Sequence, residues 1–145
     1  LVIVIVILGI LSAFALPRFA DLGGDARQAS LEGAAGSVAS AASIAHSAWL
    51  ADGSEPDPLS LDGVNVNMST DTGYPTRDAG GIGAAAQLDS NEFTLSNLRN
   101  NNSGNSNSVN DRLVDIELVD GPPSCFFTYN VVTGTVSGLD SADCE

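Results

Sequence analysis

Between Leu1 and Leu16 the chain carries no charge and a single hydroxyl, Ser12. A helix made of such residues is apolar on every side and requires lipid or protein all around it. Crossing a hydrocarbon core takes roughly 20 apolar residues in helical form. Because the run is already under way at Leu1, a few more apolar residues are expected upstream. The competing reading is a secretory signal, whose core usually spans about 7–15 residues before a small-residue cleavage site. Ala13-Phe14-Ala15 supplies that small-x-small pattern, but a second helical pattern starts straight after Pro17 and Arg18. Continuity favours a retained helix.

Gly9 weakens this helix, and Pro17 lacks an amide hydrogen and crowds the carbonyl one turn earlier. The Gly9–Pro17 segment is therefore where a kink, stretch or local melting is expected. From Arg18 to about Ala51 the pattern stays helical but is built of Ala, Gly and Ser. Projected at 100° per residue, Leu31, Val38, Ala42, Ala45 and Trp49 share one side. Phe19, Leu22, Ala26, Gly33, Ser37, Ser40 and Ile44 lie broadly opposite. A helix that only covers its own sheet needs one buried stripe. The first stripe, with Leu31, Val38 and Trp49, is read as packing on the head, and the second as packing on neighbouring copies. Gly23-Gly24 implies a bend or a close approach. Arg18 and Asp21, one turn apart, form either a surface pair of little worth or a register-setting pair in a dry bundle.

One helix over residues 1–51 would be on the order of 75 Å long. A head of about 100 residues cannot cover that length, so the amino-terminal half must protrude. Asp52-Gly53 ends the helix, and Glu55-Pro56-Asp57-Pro58 forbids its continuation. Val64, Val66 and Met68 alternate with polar residues as a strand would. Turns fill residues 69–83, and Gly83–Leu88 suggests a short helical turn. Phe93-Thr94-Leu95 reads as a short strand or a buried anchor. Residues 100–108 are an Asn/Ser loop without an apolar anchor. Leu113–Val119, Cys125–Val131 and Thr135–Ser137 read as strands, separated by turns at Asp120–Pro123 and Thr133-Gly134. The expected fold class is α+β, a long protruding amino-terminal helix packed on a small antiparallel sheet. Its parts are an apolar membrane or filament-core helix (1–17), an amphipathic continuation (18–51) and a loop-plus-sheet head (52–145).

Eighteen acidic residues against five arginines and no lysine give a net charge of −13. Such a surface repels phosphate backbones, which argues against nucleic acid. It fits either ordinary solubility or life in salty water, where screening weakens self-repulsion. Cys125 and Cys144 are expected to form a disulfide, since two thiols and the single His46 cannot fill a zinc shell. His46 has no acidic or histidine neighbour one turn away and reads as a packed residue. The acidic residues between Asp52 and Asp78 follow no calcium-loop pattern, although Asp140 and Asp143 leave weak calcium binding open. No serine elbow or phosphate loop occurs, so no catalytic residue, metal site or cofactor is assigned.

LVIVIVILGILSAFALPRFADL, with Gly9 and Pro17 interrupting an apolar helix and Arg18-Phe19 after it, resembles the amino terminus of a mature bacterial type IV pilin. Gly73-Tyr74-Pro75-Thr76 and the carboxy-terminal cysteine pair are similar to those of mannose-sensitive haemagglutinin-type pilins. The resemblance implies a homopolymeric helical filament at the cell surface, used for adhesion, biofilm formation and motility where a retraction motor exists. It implies an inner-membrane subunit before assembly, a prepilin peptidase that removes a leader, a methylated amino terminus and an assembly platform. The family's methylated Phe and its Glu lie upstream of Leu1, so no residue here takes the Glu's role. The filament-core set is then Leu1, Val2, Ile3, Val4, Ile5, Val6, Ile7, Leu8, Ile10, Leu11, Phe14, Leu16, Phe19, Leu22 and Ala26. Ser103, Ser106 and Ser108 are candidate glycosylation positions on the polar loop. A secretion-system pseudopilin and a membrane-anchored monomeric binding domain are the alternatives.

Overall fold

The computed structural model describes residues 1–54, 57–97, 112–139 and 144; the side chains of 15–21 and 97 lie outside the description. A single helix, α1, runs from Val2 to Ala51. Its backbone stays helical through Gly9 and Pro17, so the melting expected there does not occur. A proline removes one hydrogen bond from the ladder, while the residues on either side keep theirs, and propagating an existing helix is favourable. The Pro17 side chain, like those of Leu16 and Phe19 and the Arg18–Asp21 pair, lies outside the description. Among the described residues no helix is long and apolar enough to cross a membrane.

At the other end α1 stops as the sequence suggests. Asp52 donates its N–H to the Ala48 carbonyl at 3.0 Å and Ser54 to that of Trp49 at 3.0 Å. Gly53 between them takes a φ of +90°, the left-handed conformation that closes a helix at low steric cost. A hairpin follows, β1 (Leu59–Leu61) pairing antiparallel with β2 (Val64–Val66). Its turn is Asp62-Gly63, both at positive φ, as the right-handed twist of two-residue hairpins requires. An isolated bridge joins Met68 to Pro75, and a π-helical turn spans Ala79–Gly83. It runs on into the expected Gly83–Leu88 turn, where Ala84 and Ala85 are helical and Leu88 donates its N–H to the Gly83 carbonyl at 2.9 Å. Asp78 caps the π-helical turn, its carboxylate accepting the Gly81 N–H at 2.6 Å.

The main sheet is antiparallel with strand order β3 (Phe93–Asn97), β4 (Leu113–Leu118), β5 (Phe126–Asn130), β6 (Thr135–Ser137). Phe93-Thr94-Leu95 is thus a strand and not merely an anchor. Period-two alternation sends Val114, Ile116, Phe127 and Tyr129 inward, all at most 1% exposed. They meet Leu31, Ala34, Ala35, Val38 and Ala42 of α1, with Ile82 and both cysteines in the same cluster. A second cluster, further along the helix, joins Ala45 and Trp49 to Leu59, Val66 and Met68. One face of α1 therefore holds both sheets, and small residues let its backbone lie close to them. On the sheet's other side Asp115, 4% exposed, accepts a hydrogen bond from its cross-strand neighbour Thr128 at 2.7 Å.

Candidate assembly surface

The apolar clusters that join the head to α1 begin at Leu31, next to Ser30, whose hydroxyl donates to the Glu92 carboxylate at 2.7 Å. Leu1 to Leu8, Ile10, Leu11 and Phe14 are all between 51% and 99% exposed. Soluble proteins rarely show contiguous apolar patches of more than a few hundred Å², so this segment calls for a covering environment. On the second face the head makes a polar contact, Ser37 donating to the Ala86 carbonyl at 3.3 Å, and the Phe19 side chain lies outside the description. Leu22 (54%) and Ile44 (62%) are exposed, as are Ala26, Gly33, Ser37 and Ser40. A Cβ placed on Gly9, Gly23, Gly33 or Gly36 would meet nothing within 4 Å, so a neighbouring backbone can approach closely at each. Close approach at small residues is what strengthens dispersion contacts between helices that share no polar partner.

The opposite face is fixed by Gly73-Tyr74-Pro75. His46 donates from Nδ1 to the Gly73 carbonyl at 2.8 Å and stacks on the Tyr74 ring, centroids 4.2 Å apart. Gly73 sits at φ +70°, and a Cβ there would come within 2.5 Å of the Trp49 ring. Gly134, at φ +66°, leaves room for the other side of Tyr74. Tyr129 donates to the Pro75 carbonyl at 3.1 Å and Thr72 to that of Val131 at 2.9 Å. These contacts tie the carboxy-terminal end of α1, the hairpin region and the β5–β6 turn to one another. His46 is thus a packed residue, as its isolation in sequence suggests. Burial, followed by the proximity of Tyr74, pushes the Tyr129 hydroxyl well above the ordinary phenol value.

Cys125 and Cys144 form the expected disulfide, Cα atoms 4.8 Å apart, with both residues buried in the main cluster. Among the described residues no group of three or more His, Cys, Asp or Glu side chains converges as a metal site. Asp140 and Asp143 lie outside the described residues, and so do Ser103, Ser106 and Ser108. Sequence reasoning missed β1, although Leu59-Ser60-Leu61 followed by Asp-Gly is a hairpin signal. It also missed the Tyr129–Pro75 and Gly134–Tyr74 contacts, which join segments some 54 and 60 positions apart. No known protein family, curated protein or solved structure matches the chain.

Proposed function

We propose that this chain is the structural subunit of a bacterial surface fibre of the type IV pilin kind, with no enzymatic role. The observation that carries the reading is the division of α1. Its amino-terminal stretch exposes apolar residues on all sides, and its head-bound stretch keeps a second, small-residue face largely exposed. A lipid anchor accounts for the first of these features. A bundle of identical helices accounts for both, since each copy supplies the apolar environment that the next one needs. Assembly then exchanges membrane contact for subunit contact, the subunit residing in the inner membrane beforehand and at the cell surface afterwards. The β-sheet head with its disulfide forms the outside of the fibre and faces whatever the cell adheres to.

The test is electron microscopy of material sheared from producing cells, with mass spectrometry identifying the chain in the same fraction. Thin regular fibres are expected from the wild type. Ile5→Asp or Ala26→Arg should abolish them, with the circular dichroism of the head unchanged. Normal fibres from either variant would sink the bundle. Chain retained in the membrane fraction without fibres would favour an anchored monomer, and short periplasmic fibres a pseudopilin.

A further inference from the structure

Among the described residues the main sheet ends at β3, which has a partner on one side only. Val119 donates its N–H to the Glu92 carbonyl at 2.9 Å, and this bond sets the phase of the β3–β4 ladder. Hydrogen-bonded pairs alternate along an antiparallel ladder, so Thr94–Glu117 and Ser96–Asp115 are the bonded pairs of the register. The Phe93 carbonyl, both backbone groups of Leu95 and the Asn97 N–H then point away from β4. The Phe93 N–H closes a turn onto the Asp89 carbonyl at 2.8 Å. Neither backbone group of Leu95 has a partner among the described residues. An edge like this is normally blunted by a charge, a proline or a covering element; β3 itself, Phe-Thr-Leu-Ser-Asn, contains neither a charge nor a proline.

Alongside the edge runs an open groove of about 850 Å³. Ala79, Ala84 and Leu88 form its far wall, β3 its near wall, and Arg77 and Asp78 line it as well. The chemistry that matches outward backbone groups at strand spacing is another extended backbone, with alternate side chains dropping into the groove. Charge selects the occupant. Pairing two β3 edges would bring together two chains of net charge −13 each, whereas a basic peptide is drawn in by the same field. We propose that the outer edge of β3 is a docking site for an extended, positively charged strand from a partner protein. The site lies on the head and is independent of the fibre reading, so either can fail without the other.

The test measures residue-level amide exchange of the full chain in detergent micelles, with and without a short peptide alternating lysine and valine. Binding should slow exchange at Leu95 about ten-fold, with Thr94 and Ser96, already in the ladder, unchanged. The glutamate–valine counterpart should give no protection. Leu95→Pro removes the outward N–H but no ladder bond, and in that variant the protection by peptide that the wild type shows at the outward Asn97 N–H should be lost. Ala79→Arg, on the far wall and outside the sheet, should weaken it several-fold with the fold untouched. Unchanged exchange at Leu95 under saturating peptide, equal protection by the acidic peptide, or β3-mediated dimerisation without peptide would each overturn the proposal.

Discussion

Tyr129 shows how one side chain links the halves of the head. Its ring fills the core beneath α1, and its hydroxyl reaches the carbonyl of Pro75. The group is neutral in both folded and unfolded chains below the ordinary phenol value of 10.0. Above that value the unfolded chain ionises first, because burial and Tyr74 keep the folded hydroxyl protonated to higher pH. Stability should therefore be flat through neutrality and fall as pH rises past about 10. Tyr129→Phe should cost about 1–3 kcal/mol near pH 7, since the Pro75 carbonyl loses its donor, and should also reduce the alkaline loss. Urea unfolding of both proteins on either side of pH 10 checks this; equal slopes with pH would refute it. Gly73-Tyr74-Pro75 was visible in the sequence as a motif, but its partners were not. A glycine such as Gly134 announces a turn, whereas the ring that makes a Cβ intolerable there is contributed by residue 74.

At the scale of elements, the helix was the most legible part. A period of 3.6 needs no long-range information, and Leu31, Val38, Ala42, Ala45 and Trp49 are all buried as that period dictates. The strands from Leu113 onward were legible for the same reason, their alternation being local. The short hairpin strand β1 was hidden by the prolines before it, and β3 was ambiguous because three residues cannot separate a strand from an anchor. The cysteine pair was legible from number and place. Its bridge closes a loop with a sequence separation of 19, for which chain entropy gives roughly 3 kcal/mol. Replacing both cysteines by serine should lower head stability by about that amount, while the far-ultraviolet helix signal of α1 persists. A double variant as stable as the parent would show that the clusters around α1 hold the tail unaided.

Across the whole molecule, charge and apolar surface are kept apart. The stretch from Leu1 to Leu16 has no charge, so the net −13 belongs to the remainder of the chain. Closely packed copies would bring those heads together, and screening decides how far each feels the next. Lowering salt from about 1 M to about 0.01 M lengthens the screening distance from about 3 Å to about 30 Å. Fibres of the proposed kind should then loosen, with less of the chain sedimenting; sedimentation indifferent to salt would mean that neighbouring heads neutralise one another locally. The head also holds α1 along one side of its carboxy-terminal part, while the described apolar side chains from Leu1 to Phe14 stay exposed. In the proposed fibre, tension would pass from helix to helix along the centre and bypass the sheets. The heads would then hang beside the load as fittings on a cable, and their strands and loops could change with the surfaces they meet while the strength of the line stayed the same.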